Sequence, residues 1–542
     1  MRRKYVWQER VPSFLFAFFI VMGYSFAKTD SWDLVFGSTG RFLLSMGEMA
    51  VLYGLFLTVA GSLFEMVKKR TNRRAAVGFK NPLLSWWLDR HPFGGTILFL
   101  LVVWSPYVIA QYPAGMGHDA YSQMNQALGY IDMVAHHPPF HTFWIGYCVK
   151  LGRRLGSMNV GIFLYVLTQM AVVIGAWAYG MRWLAKRRLE GRLRLTIALF
   201  IGFFPLFPMY ATTVIKDVPY GAFYLLYVIF MLELLQDFRK GQEVWPHLLG
   251  LGISSLFLML LRNNGIYLVI PSALGLLAAG RGIWRGNRRY FLLALACLLV
   301  PVGILRFHDG WLIPRMGIGP GSISMAFSIP FQQTGRYVRD YGEEVTQEER
   351  EIINKVLDCD ALAEVYNPNL SDPLTYMYRN PEKEELTAYF QLWFRQFLKH
   401  PGVYVEATMN NVYAMFYPGV DNTVIFFDLL HEYGYNNFDQ PKALAGYRLW
   451  MASFTEKILK APILNLLNNM ALWVWVFFLE FFYCWKEKRW DGLYAAIPAL
   501  MTILVCIAGP AILGHPRYVF PILLEALILL VPVLEEGALK DR

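Results

Sequence analysis

The chain has 542 residues, of which 56% are hydrophobic, 16% aromatic and 17% charged, with a formal net charge of +10. A soluble globular domain carries about 25% charge, so this composition, with a mean hydropathy of +0.35, excludes that class and indicates a polytopic membrane protein. The positive balance does not point to nucleic acid, because the basic residues sit in short loops between apolar runs, where they orient a membrane protein.

The opening stretch, MRRKYVWQERVPSFLFAFFIVMGYSFAK, has a charged head and an apolar body but no small-residue cleavage site. It reads as a retained first span over 11–28 and not as a signal peptide. Further apolar runs approach the length needed to cross about 30 Å of hydrocarbon. They predict spans at 42–66, 96–112, 158–180, 195–211, 218–236, 246–261, 264–280, 289–306, 466–484, 493–513 and 517–534, about twelve in all with the first. With the N-terminus inside, KKRTNRR (68–74), KRRLEGRLR (186–194), DFRK (237–240), RGIWRGNRR (281–289) and KEKR (486–489) all fall on the cytoplasmic side, and the C-terminus joins them. Counting HTFWIGYCVKLG (141–152) as a span would move KRRLEGRLR outside, so 122–155 is expected to form amphipathic helices at the outer surface.

The expected organisation is an N-terminal transmembrane hairpin with its basic loop (1–95), a transmembrane core (96–306) with an outer loop at 113–157, an outer helical domain (307–465) and C-terminal transmembrane helices (466–542). In the outer domain, polar runs such as RDYGEEVTQEEREIINKV (339–356) and loop punctuation such as YNPNLSDP (366–373) replace the apolar runs. EELTAYFQLWFRQFLKH (384–400) has helical periodicity and stops at His400-Pro401, as a helix should. No internal repeat is evident, and the five cysteines form no CxxC pair that would suggest a disulfide framework or a zinc site. The fold class expected is an all-α integral membrane protein.

This topology gathers on the outer face the polar residues that have no topological role. MGHDAYSQMNQALGYIDMVAHHPPFHTFW (116–144) holds His118, His136, His137 and His141, with Asp119 at its head. Asp119 reads either as a helix N-cap or as a functional carboxylate near the lipid–water boundary, where a charge without purpose is costly. His136 and His137 precede two prolines that hold them extended, as a binding element or as the solvent-facing start of a helix. His141 reads as the next turn of the same site, and His118 as a neighbour of Asp119. Lys216, Arg262 and Arg517 stand at outer span ends in three separate turns. They either snorkel at the interface or bind phosphate, and His515 and Tyr518 flank Arg517 so as to fix its direction. Asp217 is either the ion pair of Lys216 or a functional acid. MGIGPGS (316–322) lacks the Lys-Ser/Thr pair and following helix of a P-loop.

An Asp in the first large outer loop followed by HHPPFHT resembles the GT-C superfamily of membrane glycosyltransferases, to which protein O-mannosyltransferases and aminoarabinose transferases belong. VIKDVPYGAFYLLYVIF (214–230) resembles its Asp-x-Pro element, and GHPRYVFPILL (514–524) its late Arg-Tyr-x-x-Pro element. A closer resemblance, covering most of the chain from residue 96, is to a bacterial, mostly Gram-positive family of uncharacterised GT-C-like proteins. It is carried by SIPFQQTGRYVRD (328–340), YNPNLSDP and the helix before FYPG (416–419).

The superfamily resemblance implies a multi-pass membrane enzyme with an extracytoplasmic active site; the closer family places it in a bacterial cell membrane, and the basic loops put both termini in the cytoplasm. Such an enzyme would take a sugar from a polyprenyl-phosphate carrier and pass it to a cell-envelope acceptor, with Asp119 as catalytic base. Such a transfer needs cations at the leaving phosphate and a base at the acceptor hydroxyl. Lys216, Arg262 and Arg517 suit the phosphate, and His136, His137, His141, Asp217, His515 and Tyr518 are the candidate substrate-binding residues. Ala120 stands where the mannosyltransferases place a second acid, which speaks against a paired-carboxylate mechanism or a simple metal site; no cofactor is expected, and a divalent metal stays open without being indicated. The partners expected are the lipid-linked sugar, the acceptor and membrane lipid, with no nucleic acid. The alternative is a transporter or flippase of an anionic lipid-linked substrate, using the same cations without Asp119. Transporters commonly carry internal repeats and mid-span ionisable residues, whereas these spans read as nearly free of charge. A third reading is a structural subunit of a wall-synthesis complex.

Overall fold

The computed structural model describes residues 5–71, 78–240, 245–280, 284–427, 439–509 and 512–535. Parts of the basic stretches 68–74 and 281–289, and the chain ends whose side was expected above, lie outside the described residues. Within them the chain is all-α apart from one pair of two-residue strands. Seven helices are long and apolar enough to cross a membrane: Trp7–Thr29, Thr39–Thr71, Pro92–Gln111, Met158–Lys186, Asp217–Asp237, Phe291–Arg315 and Trp490–Ala508. Pro462–Asn468 and Met470–Lys486, bent by 64° at their break, make an eighth if counted together.

These eight correspond to eight of the expected spans. The other four are shorter than expected or interrupted. The run 195–211 breaks into Gly191–Phe203 and Leu206–Ala211, because Phe204 precedes a proline and takes extended backbone. Trp245–Leu261 and Ile266–Gly280 are separated by a turn of 3₁₀ helix at Asn263–Gly265, and Trp245–Leu261 and Phe520–Leu534 have only 17 and 15 residues. At 1.5 Å per residue these reach roughly 22–26 Å, short of a full hydrocarbon core.

The helices run between two chemically distinct ends. At one, ion pairs knit the loops: Lys486 to Glu9 at 3.0 Å, Lys68 to Glu487 at 3.3 Å, Arg187 to Glu535 at 2.7 Å and to Glu233 at 3.3 Å, and Arg70 to Glu190. Basic residues of 68–71, 186–194 and 486–489 therefore share one end of the bundle. At the other end, Asp30 receives Arg336 and Arg339 from the segment after residue 327, and Arg336 also pairs with Glu406 at 2.9 Å.

The region expected as one helical domain, 307–465, divides. Phe331, Tyr337, Ile353, Leu374, Tyr389 and Tyr404 belong to a core of their own. Met415, Phe416, Phe426, Met451 and Leu459 instead join the main core of the bundle. The expected helix at 384–400 is Lys383–Lys399, and a second helix, Pro401–Val412, starts at the proline that ends it.

Candidate functional site

The site is assembled on the strand pair. Gly115–Met116 (β1) runs parallel to Thr213–Val214 (β2), with Gly115 opposite Thr213 and Met116 opposite Val214. Buried amides hold it: Gln169 Nε2 donates to the carbonyls of Thr213 (2.7 Å) and Ala211 (3.0 Å), and Gln111 Nε2 donates to Thr213 Oγ1 at 3.2 Å. Gly115 is obligatory here, since a Cβ would collide with the Gln111 side chain and the Phe426 carbonyl. Because the strands are parallel, the chain leaves both in the same direction. One reaches Asp119 in the first turn of His118–Leu128, and the other reaches Lys216 and then Asp217, which opens Asp217–Lys240. Two helix N-termini, which favour negative charge, are thus set side by side.

Lys216 Nζ lies 2.6 Å from Asp119 Oδ2 and donates to His137 Nδ1 at 3.0 Å. Arg517 Nη1 lies 3.5 Å from the same Asp119 oxygen. Tyr518 contacts the Arg517 side chain, whereas His515 caps its backbone. The Arg517 backbone N–H donates to His515 Nδ1 at 3.3 Å, its Nη2 donates to Tyr518 Oη at 3.1 Å, and its guanidinium lies 5.0 Å from the Tyr518 ring centre. Arg517 Nε is buried without a hydrogen-bond partner among the described residues. Arg262 does not reach Asp119. It pairs with Asp217 (3.0 Å), an acid only 2% exposed, and lies over the Tyr220 ring. Asp217 is therefore the partner of Arg262, not of Lys216 as the adjacent sequence positions suggested.

Burial alone would raise the Asp119 carboxyl, but the charges of Lys216 and Arg517 outweigh it and hold the group well below the usual carboxylate range. Burial and the Lys216 charge push His137 from 6.5 down to about 3, and the same two causes lower His136, whose ring meets that of His137 edge-on. With Nδ1 accepting from Lys216, a neutral His137 carries its proton on Nε2, leaving an N–H donor for a ligand.

His141 lies apart. It is fully buried, with Nε2 2.6 Å from Tyr165 Oη and Nδ1 3.0 Å from Gln123 Oε1. Tyr165 Oη in turn donates to Gln169 Oε1 at 2.9 Å, so His141 braces the amide that holds β2 and is a positioning residue. Of His118 the structure describes only its place at the start of its helix.

Two contributors lie in stretches that the sequence did not mark as part of the site. Asp372, in the YNPNLSDP stretch, is brought to the site by the Leu370–Ile512 bridge and by the Leu513 N–H donating to the Asn369 carbonyl at 2.9 Å. Burial raises its carboxyl, with the Asp119 charge adding to the rise and Arg517 opposing it. An Asp-Pro at a helix start reads as a cap, and no local signal marks it otherwise. The glycine-rich stretch 316–322 also has a task. Gly319 exchanges backbone hydrogen bonds with Met133 and Ala135 (3.1 and 2.8 Å), and a Cβ on Gly321 would lie 3.0 Å from His136 Cα. Its glycines let one backbone brace the loop that carries the histidine pair. Among the described residues no three His, Cys, Asp or Glu side chains converge as metal ligands.

The arrangement is a half-buried ionised carboxylate flanked by two cations, one with a donor to spare, beside a neutral imidazole N–H. It suits an anionic ligand that brings a hydroxyl group. Residues 132–540 match DUF6020, described as a family of unknown function. The match takes in every candidate above except His118 and Asp119, which lie ahead of it. No curated protein and no solved structure matches the chain.

Proposed function

The chain belongs to the DUF6020 family of unknown function, and we propose from its site that it is a GT-C-like membrane glycosyltransferase using a polyprenyl-phosphate-linked sugar. The observation that carries the proposal is the sharing of Asp119 between Lys216 and Arg517, at 2.6 and 3.5 Å. Both cations are positioned for a phosphate, and Arg517 Nε has no other partner among the described residues. A donor phosphate seated between them competes with Asp119 for their charge. That lifts the carboxylate's proton affinity at the moment a base is needed.

The acceptor oxygen then attacks the anomeric carbon and its proton passes to Asp119. The carbon–oxygen bond to the donor phosphate breaks with its electron pair going to the polyprenyl phosphate, held by Lys216 and Arg517. Direct attack inverts the anomeric centre. His137 Nε2–H serves a sugar hydroxyl or phosphate oxygen, and Arg262 with Asp217 fixes the start of the helix behind Lys216. In this reading the basic end of the bundle is cytoplasmic, with both chain termini, and the short apolar helices complete about twelve crossings by pairing with their neighbours. The site and the helices around Phe331–Tyr404 face outward.

A transporter or flippase remains the second reading, and one observation favours it. Glu480 and Glu525 are buried within apolar helices, and Tyr224 Oη donates to Glu525 at 2.6 Å. Buried acids inside spans are a feature of transport proteins. Mass spectrometry of envelope glycans and polyprenyl-phosphate sugars, with and without the protein and after an impermeant reagent has modified the outer-leaflet donor in intact cells, separates the two. The transferase predicts a glycan lacking one sugar and an accumulated donor on the outer leaflet. Donor accumulating on the inner leaflet alone would contradict it.

A further inference from the structure

The basic end of the bundle carries a cleft that the reading of Asp119 does not involve. It has a volume of about 500 Å³ and lies between the turn Ser85–Arg90, the first turn of Pro92–Gln111 and the last turns of Met158–Lys186. Arg90, His91, Arg182 and Lys186 line it, with Asp89. The charges are not equally committed. Asp89 is taken by Arg194 at 2.8 Å and by the Phe79 N–H at 2.9 Å, and Lys186 is taken by Glu233 at 2.5 Å. Arg90 and Arg182 have no acidic partner among the described residues. Two exposed arginines without an acidic partner among the described residues therefore line one cleft, and paired guanidinium forks suit the oxygens of a phosphate. The N–H groups of Phe93 and Gly94, in the first turn of their helix, have no carbonyl behind them within the helix and add to the same field.

The surroundings indicate what the phosphate is attached to. Phe93 is exposed and lines the cleft, the exposed Trp86 packs its ring 5.3 Å from His91, which also lines it, and the exposed Leu83 precedes the turn that carries them. Aromatic residues at the end of apolar helices mark the headgroup level of a bilayer, and basic pockets between such helices hold anionic headgroups. We propose that this cleft binds the phosphate headgroup of an anionic membrane lipid, with Arg90 and Arg182 on the phosphate and Leu83, Trp86 and Phe93 along the acyl chains. The cleft lies roughly 20 Å along the Met158–Lys186 helix from Gln169, which supports β2, so the proposal stands independently of the chemistry at Asp119.

The test uses the full chain in detergent. Native mass spectrometry reads lipid retention, and thermal unfolding reads stabilisation, with phosphatidylglycerol, phosphatidylcholine or inorganic phosphate added. The expected result is retention of phosphatidylglycerol over phosphatidylcholine, and stabilisation by the former that inorganic phosphate does not reproduce. Arg90→Gln with Arg182→Gln lowers phosphatidylglycerol affinity by roughly 30-fold, as two basic residues near an anionic lipid imply. The same loss of charge through Lys383→Gln with Arg395→Gln, in the Lys383–Lys399 helix, leaves it unchanged. Equal retention of the two lipids by the parent protein would overturn the proposal even if the double variant failed to fold. So would undiminished retention by a folded double variant. Stabilisation by inorganic phosphate as large as that by the lipid would reassign the cleft to a soluble phosphate.

Discussion

The contact between Lys216 and Asp119 predicts a measurable coupling. Lys216→Met removes the ammonium at 2.6 Å and leaves Asp119 with Arg517 alone, at 3.5 Å. At an effective dielectric of about 20, two unit charges 2.6 Å apart attract by about 6 kcal/mol. The side chains are only 12% and 25% exposed, so desolvation offsets most of that, and a charge-assisted hydrogen bond of about 1.5–3 kcal/mol remains. Arg517 takes over part of the role, which puts the ion pair at the low end. Loss of the donor to His137 restores the total to about 2–3 kcal/mol for the single substitution. Asp119→Asn removes the same attraction from the other side, so the double variant should be more stable than the sum of the singles by about 1.5 kcal/mol. Unfolding of all four proteins in mixed detergent micelles, followed by tryptophan fluorescence, gives the coupling directly. Additivity within about 0.5 kcal/mol would show that the pair is not formed in the protein.

Three further outcomes follow from neighbouring residues. Gly115→Ala places a Cβ against the Gln111 side chain, the Phe426 carbonyl and Thr213, and should destabilise by about 1–3 kcal/mol. Gly117→Ala meets only Ile215 and Val214, at 3.5 Å or more, and should cost clearly less in the same unfolding assay; equal losses would contradict the packing of β1. His137 titrates at about 3 when folded against 6.5 ordinarily. The unfolded chain therefore takes up a proton that the folded one refuses, and stability should fall as pH drops from about 6.5 toward 3. His137→Gln should flatten that slope, and an unchanged slope would refute the assignment. Arg517→Lys keeps the charge but loses Nε and the fork, so affinity for a polyprenyl-phosphate donor should fall about tenfold; an unchanged Kd would remove Arg517 from the site.

Much of the framework was legible in the sequence because it rests on hydrophobicity over long windows. The expected spans 158–180 and 218–236 lie within Met158–Lys186 and Asp217–Lys240, and the stop at His400-Pro401 follows from proline sterics. The count of spans was less legible, because composition does not show that Pro205 interrupts one run or that a 3₁₀ turn consumes the start of another. The convergence of Asp119, Lys216, His137 and Arg517 on one end was anticipated from topology, but its cause was not. Two strands of two residues each carry no periodicity, yet they fix the register that sets Asp119 beside Lys216. His141 looked equivalent to His137 because both belong to HHPPFHT. Only the helix Pro139–Arg154 shows that His141 falls on the buried face with Thr142, Ile145 and Val149. Asp372 comes from more than 240 positions away, and only the tertiary fold brings it near Asp119. The charge-poor look of the spans also misled in part, since Glu480 and Glu525 are buried inside them.

In the proposed glycosyl transfer, Asp119 takes the proton of the acceptor hydroxyl. The most direct measurement is transfer from a polyprenyl-phosphate sugar by purified parent and Asp119→Asn protein, with donor binding measured alongside. Asn retains an oxygen able to cap the helix, and loss of the carboxylate frees Lys216 and Arg517 for phosphate. Donor affinity should therefore equal or exceed that of the parent, with transfer reduced by about 100-fold or more. Near-normal transfer by a folded Asp119→Asn protein would contradict it.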